Sequence, residues 1–237
     1  RGHAVVLTDI DAAAAAATAA EIGAAAGLAQ DVRVEASHAE VAAEAARHGV
    51  LTVWFNNAGV GDDGTLAELR SDQVQRLVDV NLLGTLWGMR AALAAFGPEG
   101  GEIVNIASLS GHGPVPGLSV YAATKAAVVS LTMSADAETP RGVQVHALCP
   151  DGVRTAMVAQ MRDDGLAKAL VHSGGRLLTA EETAQAAVAL LGTNRVVRTL
   201  PGWRGGLMRA TAVAPHLAAK GVRLFRAQDA RAARKQA

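Results

Sequence analysis

The stretch SVYAATKAAV at residues 119–128 combines the chain's only tyrosine with a lysine four residues later. Tyr121 is the single tyrosine among 237 residues, in a chain whose aromatic content is 3%. A phenol with a pKa of about 10 is a poor base at neutral pH. A lysine ammonium one helical turn away favours the phenolate and lowers that pKa. The spacing therefore predicts that Tyr121 and Lys125 move a proton to or from a substrate oxygen, although such a pair alone is usually an ordinary surface contact.

Other polar residues follow the predicted strands at the points where the strands end. In a doubly wound parallel sheet, ligands bind beyond the carboxyl ends of the strands. Tyr121 and Lys125 open the helix that follows one such residue, Ser108. This rule places six segments at a single rim of the sheet: Asp9, Asp31, Asn56 with Asn57, Ser108, Pro150 with Asp151, and the helix that carries Tyr121 and Lys125.

Short apolar runs alternate along the chain with longer, alanine-rich helical stretches. That alternation predicts an α/β fold, a doubly wound, Rossmann-type parallel sheet with helices on both faces. Capping boxes at Ser37 and Thr179 each predict the start of a helix. We expect one domain over residues 1–200 and a basic, helical C-terminal extension over 201–237. The predicted strands are His3–Thr8, Leu28–Val32, Leu51–Asn56, Glu102–Ala107, Val143–Cys149 and Arg195–Leu200; the predicted helices are 11–25, 37–48, 71–96, 120–138 and 179–191.

Five motifs in this order resemble the short-chain dehydrogenase/reductase family. They are NNAG at 56–59, Asn81 in VNL, Ser108 in IVNIAS, Tyr121-x-x-x-Lys125 thirteen residues after that serine, and Pro150-x-x-Val153-x-Thr155. One motif alone is weak, whereas five with family-like spacing are specific. The resemblance covers about residues 1–192. It implies an oxidoreductase that transfers a hydride between a nicotinamide cofactor and an alcohol or ketone.

The resemblance also implies a role for each catalytic candidate. Tyr121 would be the general acid or base, and Ser108 would hydrogen-bond the reacting oxygen. Lys125 would hold the ribose hydroxyls of the cofactor, and Asn81 would connect Lys125 to a water relay. Taken singly, Ser108 is also typical of a strand-end turn, and Asn81 of a local helical hydrogen bond.

The same resemblance implies a set of cofactor contacts around these residues. Asn57, Ala58 and Gly59 follow a hydrophobic strand at the correct rim, although this tripeptide is also an ordinary turn sequence. Tyr121 and Lys125 would contact the cofactor as well. The remaining expected contacts come from the loop after a later strand, at Pro150 and Thr155.

Asp9 indicates which nicotinamide cofactor is used. An acid at the end of this strand accepts hydrogen bonds from the adenosine ribose 2′-hydroxyl and repels a 2′-phosphate. The sequence therefore favours NAD over NADP, unless Asp9, together with Asp11, only caps the next helix. Asp31 matches the family acid that contacts the adenine amine, and a solvated strand-end acid is the alternative.

The family's first strand and its Gly-rich turn, TGxxxGxG, do not occur in this sequence. In the family that turn carries the cofactor pyrophosphate at a helix N-terminus, and the strand lies in the middle of the sheet. We therefore expect a preceding βα unit of roughly 25–30 residues before Arg1. Asp151 also departs from the family, since a glycine usually follows the proline there.

The substrate is the part of the function that the sequence defines least. Residues 154–178 match the family's substrate lid, and its Met157, Val158, Met161 and Leu166 suggest an apolar pocket wall. A helix that packs an apolar face on the domain is the alternative. His112 lies between Ser108 and Tyr121 and is a further candidate substrate contact, or simply an exposed loop histidine. We expect a small-molecule alcohol or ketone with an apolar body.

Composition limits the other function classes. The one cysteine, Cys149, rules out an internal disulfide and fits the cytoplasm. We expect no metal site and no nucleic-acid partner.

The two long predicted helices, 71–96 and 120–138, suggest a homo-oligomer, a dimer or tetramer. A non-catalytic dinucleotide-binding regulator or scaffold on the same fold is the alternative function.

Charge is distributed unevenly along the chain. The net charge is zero, but residues 195–237 hold ten Lys or Arg and one acid. That basic tail suits contact with the acidic body of the protein, and peripheral membrane attachment is the alternative.

Overall fold

The computed structural model describes residues 2–163, 165–214 and 216. Six strands and nine α-helices occur in these ranges, and each strand is followed by at least one helix, in line with the predicted alternation of strands and helical stretches. The strands are β1 (Val6–Asp9), β2 (Ala26–Ala29), β3 (Val53–Asn56), β4 (Gly101–Ile106), β5 (Val143–Pro150) and β6 (Val197–Leu200). The helices are α1 (Ala12–Ile22), α2 (Glu35–Arg47), α3 (Ser71–Val78), α4 (Gly84–Ala95), α5 (Ser119–Glu138), α6 (Ala156–Ala159), α7 (Leu166–His172), α8 (Ala180–Val188) and α9 (Gly202–Val213).

All pairings between these strands are parallel, and they form two sheets. β1 pairs with β2, and β3, β4, β5 and β6 form a four-stranded sheet in that order. One buried cluster, which includes Val41 of α2, Trp54 of β3 and Met89 of α4, also packs against Val6 and Leu28 and so joins the two sheets. The resemblance would place a preceding central strand between β1 and β3, and that unit stays a prediction.

Alternating side chains of the central strands point to opposite faces of the larger sheet. Val104 and Leu148 pack with Ala186, Ala187 and Leu190 of α8 or the turn after it on one face. On the other face, residues of β4 and β5 pack with α4 and α5. Because strand side chains alternate, this arrangement covers both faces with helices. The predicted doubly wound fold is therefore confirmed.

Several predicted boundaries are wrong for local reasons. The capping box at Ser37 does not begin α2, which starts at Glu35, because the Ser37 hydroxyl donates instead to the Asp31 and Val34 carbonyls. α1 ends at Ile22 because Gly23 takes the left-handed conformation that closes a helix. The capping box at Thr179 does begin α8.

The long predicted helix from Ser71 is interrupted at its functional residue. α3 and α4 are joined by a π-helical segment, Asp79–Leu83, which contains Asn81. π-helical turns insert one residue into a helix and concentrate at functional sites. Of the predicted C-terminal extension, α9 is helical as expected, whereas residues 217–237 lie outside the described residues.

Candidate active site

Tyr121 and Lys125 lie on the first two turns of α5, one turn apart. The Lys125 ammonium lies 5.9 Å from the centre of the Tyr121 ring. It donates a 2.8 Å hydrogen bond to the carbonyl of Ile106, the last residue of β4. Only 4% of Lys125 is exposed. Lys125 is therefore buried between α5 and the end of β4, beside a half-buried Tyr121, so the predicted pair is not an ordinary surface contact.

Burial changes the proton affinities of both groups. It raises the pKa of Tyr121 above its usual value, and a hydrogen bond with Ser108 opposes that rise. Burial also lowers the pKa of Lys125 to about 8. The sequence-based expectation of a lowered Tyr121 pKa is thus wrong, because desolvation outweighs the lowering effect of the hydrogen bond with Ser108. At neutral pH the phenol holds its proton.

Ser108 lies directly beyond β4 and caps the short 3₁₀ segment Leu109–His112. Its Oγ accepts hydrogen bonds from the Ser110 amide, at 3.2 Å, and from the Ser110 hydroxyl, at 2.8 Å. Gly111 then packs closely on α5, since a Cβ at Gly111 would lie 2.8 Å from the Lys125 carbonyl oxygen. The segment that carries Ser108 is therefore fixed against the helix that carries Tyr121 and Lys125.

Asn81 is fully buried in the π-helical segment. Its Oδ1 accepts from the Val60 amide at 2.9 Å, and its Nδ2 donates to the Val60 carbonyl at 3.0 Å and to the Thr124 hydroxyl at 3.3 Å. Thr124 in turn donates to the Tyr121 carbonyl at 2.7 Å. Asn81 thus links the loop after β3 to the turn of α5 that carries Tyr121 and Lys125. Thr124, which takes part in this link, gave no signal in the sequence.

Gly59 lies where Asn81 and Lys125 approach each other. A Cβ at Gly59 would lie 3.3 Å from Asn81 Oδ1 and 3.5 Å from Lys125 Nζ. Gly59 therefore keeps open the space beside the lysine. Asn57 and Ala58, which precede Gly59, are exposed after the end of β3.

The remaining cofactor candidates lie beyond other strand ends. Pro150 is the buried last residue of β5, and Thr155 is exposed and begins α6. Asp9 is an exposed residue at the end of β1, and its Oδ1 accepts a 2.9 Å hydrogen bond from the Asp11 amide. The capping of α1 itself falls to Asp11. Asp9 therefore keeps a carboxylate oxygen free of described partners at the strand end.

Asp31 lies just beyond β2 and is held by Arg33. The Arg33 Nε lies 2.9 Å and 3.0 Å from the two Asp31 carboxylate oxygens. Hydrogen bonding to Arg33 lowers the pKa of Asp31. The carboxylate is thus engaged within its own turn, and a contact with adenine stays a prediction.

The predicted lid region forms α6, α7 and the turns around them. Met157 packs on the loop after β3, since a Cβ at Gly61 would lie 3.0 Å from the Met157 sulfur. The Arg162 amide donates to Asp63 of the same loop at 3.1 Å. Val158, Met161 and Leu166 are half-buried. A cavity of about 390 Å³ lies between the loop after β3 and α7, and it reaches Gly117, four residues before Tyr121.

α9 contacts the loop after β5 and the lid region through Arg204, and the sequence did not predict these contacts. Asp151, which replaces the usual family glycine, lies 2.7 Å from Nε of Arg204, and both side chains are about 10% exposed. The Nε–H is not aligned for a hydrogen bond, so the contact is chiefly an ion pair. Arg204 also donates to Ser173 in the lid region, at 3.2 Å.

His112 connects the segment after Ser108 to β6 and α9. Its Nε2 lies 2.9 Å from the Thr199 hydroxyl of β6 and 3.4 Å from Arg209 of α9. Burial and then the nearby Arg209 charge lower the pKa of His112. His112 is therefore half-buried and held by protein groups, unlike an exposed loop histidine.

A sequence profile described as short chain dehydrogenase matches residues 1–166. The chain belongs to this family. It is 38% identical over 203 residues to a Xanthobacter autotrophicus protein named "Inactive 2-(S)-hydroxypropyl-CoM dehydrogenase 2", across 81% of this chain and 88% of that protein. It is 42% identical over 154 residues to a sorbitol dehydrogenase of Cereibacter sphaeroides, across 63% of this chain and 60% of that protein.

Solved structures of short-chain dehydrogenases share the fold. A gluconate 5-dehydrogenase from Burkholderia cenocepacia in complex with NADP and tartrate superposes with a TM-score of 0.72, at 28% identity and over 84% of each chain. A short-chain dehydrogenase/reductase from Burkholderia phymatum in complex with NAD gives the same TM-score and identity, over 82% of this chain and 78% of that one. One neighbour binds NADP and the other NAD, so these likenesses leave the choice of cofactor open.

The residues present fit a nicotinamide cofactor at this short-chain dehydrogenase site. The Lys125 ammonium has three donors and spends one on the Ile106 carbonyl, its hydrogen-bond acceptor among the described residues. The other donors lie beside the space that Gly59 keeps open. A buried ammonium with unspent donors suits the hydroxyls of a ribose. In the part of the chain that the structure describes, no three His, Cys, Asp or Glu side chains cluster to hold a metal ion, and no helix is long and apolar enough to cross a membrane.

Proposed function

We propose that this short-chain dehydrogenase transfers a hydride between NAD(H) and an alcohol or ketone with an apolar body. The supporting observation is the buried Lys125 ammonium, which lies 5.9 Å from the centre of the Tyr121 ring and is anchored to Ile106, at the end of the strand that leads to Ser108. A single proton donor, a hydrogen-bonding hydroxyl and a buried ammonium are the groups that carbonyl reduction requires. The bound nicotinamide would supply or accept the hydride.

The protein residues would handle the proton and orient the substrate. Since burial raises the Tyr121 pKa, the phenol is protonated at neutral pH and is ready to donate to a carbonyl oxygen. The Ser108 hydroxyl hydrogen-bonds the same oxygen and stabilises its developing negative charge. In the oxidative direction Tyr121 takes the alcohol proton instead, and Lys125 stabilises the phenolate that precedes this step.

The cofactor would lie across the rim of the sheet. Asn57, Ala58, Gly59, Pro150 and Thr155 would contact it near the reacting ring, and Lys125 would hold its ribose. Asp9 would accept from the adenosine ribose hydroxyls, which favours NAD over NADP. Asp31 would contact the adenine, although Arg33 competes for its carboxylate.

A panel of alcohols and ketones tested with NAD(H) and NADP(H) would examine this proposal. We expect NAD(H)-dependent turnover in the wild type and a fall of about 10²–10⁴-fold in Tyr121→Phe. Equal turnover by the two proteins would remove Tyr121 from the mechanism.

A non-catalytic dinucleotide-binding regulator is the second candidate, and the name of the Xanthobacter relative includes the word inactive. Binding of NAD(H) in a calorimeter, with no turnover of any substrate in the panel, would favour this candidate.

We also propose that the protein acts as a homo-oligomer in the cytoplasm. Leu93 of α4 is 37% exposed and Met133 of α5 is 50% exposed, so these two helices offer apolar contacts to a second copy. Multi-angle light scattering would measure the assembly. Vesicle flotation at low and high salt would separate peripheral membrane binding by the basic tail from contact with the protein's own acidic surface.

A further inference from the structure

Ser110 is a buried serine to which the proposed reaction assigns no role. It lies two residues after Ser108 in the 3₁₀ segment and is 8% exposed. Its hydroxyl lies 2.8 Å from Ser108 Oγ, and its amide lies 3.2 Å from the same atom. Ser108 is the only described partner of the Ser110 side chain.

The chemistry of hydroxyl groups determines the direction of these hydrogen bonds. A serine hydroxyl can accept about two hydrogen bonds and donate one. The Ser110 amide can only donate, so it occupies one acceptor position of Ser108. If Ser108 donated to Ser110, the Ser110 proton would be buried without an acceptor, which is costly. The Ser110 hydroxyl therefore occupies the second acceptor position.

With both acceptor positions filled, the Ser108 hydroxyl has only its own proton left to use. Tyr121 is the neighbour that shares a hydrogen bond with Ser108. Because Ser110 fills the acceptor positions of Ser108, the Ser108 proton is the one available for the phenol oxygen, and the Ser108 contact lowers the Tyr121 pKa. The same donated hydrogen bond would stabilise negative charge on a substrate oxygen.

We propose that Ser110 is a positioning residue: it saturates Ser108 as an acceptor and so makes the Ser108 hydroxyl a dedicated donor to the reacting oxygen. Two backbone contacts hold the segment that carries Ser108 and Ser110. The Gly111 amide donates to the Ser108 carbonyl at 3.0 Å, and Gly111 is pressed against the Lys125 carbonyl of α5. The role in the reaction rests on the proposed function, whereas the direction of the hydrogen bond does not.

The charged and titratable groups around Tyr121 come from several elements. Lys125 lies on its own helix at 5.9 Å from the ring centre. Cys149 of β5 is buried near Lys125 and the Ser108 backbone, and burial raises its pKa to about 12. Arg209 of α9 lies near Cys149 and His112. Among the described residues the hydrogen-bond partner of the Ser110 side chain is Ser108, so we expect a change at Ser110 to reach Tyr121 through Ser108.

Because Tyr121 is the only tyrosine, its ionisation can be followed by tyrosinate absorbance without substrate or cofactor. Ser110→Ala should raise the apparent pKa of Tyr121 by about 0.5–1 unit. Without Ser110, the Ser108 hydroxyl is no longer restricted to donating its hydrogen bond to the phenol oxygen. Ser110→Thr, which keeps the hydroxyl, should restore the wild-type midpoint. Ser119→Ala, at an exposed serine two residues before Tyr121, is the matched control and should leave it unchanged. Tyr121→Phe, which contains no tyrosine, gives the background absorbance.

A double-mutant cycle tests whether Ser110 acts through Ser108. The pair Ser108→Ala with Ser110→Ala should have the midpoint of Ser108→Ala alone. An undiminished shift from Ser110→Ala in the Ser108→Ala background would overturn the proposal, as would an unchanged midpoint in Ser110→Ala itself. If a variant unfolds before Tyr121 ionises, the single ¹³Cζ-tyrosine resonance at neutral pH reports the same hydrogen bond. It should move in the same direction in Ser110→Ala as in Ser108→Ala, and an unchanged resonance would contradict the inference.

Turnover provides a separate readout once a substrate is known. Ser110→Ala should lower kcat with little change in KM, because Ser108 stabilises the reacting oxygen rather than the bound ground state. If no substrate in the panel reacts with the wild type, the proposed function fails, but the titration still decides the hydrogen-bond direction.

Discussion

The Lys125 ammonium is anchored to the carbonyl of Ile106, at the end of the strand that leads into Ser108. This 2.8 Å hydrogen bond ties the lysine of α5 to β4, and burial lowers the pKa of Lys125 to about 8. Lys125 is therefore held in an environment that disfavours its charge. A site that keeps such a group pays for it in folding stability.

We expect Lys125→Met to abolish turnover and to stabilise the fold at neutral pH. The pKa of Lys125 falls from 10.5 to about 8, a destabilisation of roughly 3 kcal/mol that the variant removes. Loss of the hydrogen bond to Ile106 offsets about 1 kcal/mol of this gain. Urea unfolding at pH 7 measures the difference, and a less stable variant would contradict the prediction.

The stability of the wild type should rise with pH between pH 8 and pH 9. The folded-state pKa of Lys125 is about 8 and the usual value is 10.5, so the unfolded chain binds more protons at this group in the window. The penalty is fully present below pH 8. Cys149 acts in the opposite sense above its usual value of 9.0, because burial raises its folded-state pKa to about 12, and Tyr121 does so above its usual value of 10.0. Urea midpoints across the window should rise more in wild type than in Lys125→Met.

Asp9→Ala should weaken the preference for NAD. Its exposed carboxylate would repel a 2′-phosphate and accept from a ribose hydroxyl. We expect KM for NADP to fall and KM for NAD to rise, each by about tenfold, a change of roughly 1.4 kcal/mol. Asp11→Ala, which removes the α1 cap, is the control. It should lower stability without changing the NAD to NADP ratio.

Asn105→Ala should destabilise the protein by about 2–4 kcal/mol, because it leaves buried polar groups without partners. Asn105 is fully buried, accepts from Asn56 at 2.8 Å and donates to Thr132 of α5 at 3.0 Å. Thermal unfolding would measure the loss. Asn194→Ala removes an exposed hydrogen bond with Gln144 and should change stability by less than about 0.5 kcal/mol.

Asp151→Ala should cost about 3 kcal/mol, because it leaves the Arg204 charge buried without its carboxylate. The double variant Asp151→Ala with Arg204→Leu should recover much of that loss. Equal unfolding free energies for the single and double variants would show that the ion pair does not couple α9 to the loop after β5. Arg176→Ala, at an exposed ion pair with Glu182, is a control that should cost less than about 1 kcal/mol.

The sequence by itself determined the fold class and the catalytic candidates. Hydrophobic periodicity marks the strands, and residues at the ends of parallel strands meet at one rim whatever the details of packing. That is why Ser108, Tyr121 and Lys125 could be placed at one rim in advance, whereas Asn81 was named only through the resemblance to the short-chain dehydrogenase/reductase family.

Only the tertiary structure decided how these residues are held. Desolvation depends on every neighbour, so the raised pKa of Tyr121 could not be predicted from a lysine four residues away. The π-helical turn at Asn81 holds that side chain where it hydrogen-bonds to distant Val60 and Thr124. Ser110 reaches Ser108 through a 3₁₀ turn. Arg204 reaches Asp151 through the packing of α9. Neither leaves a periodic signal in the chain.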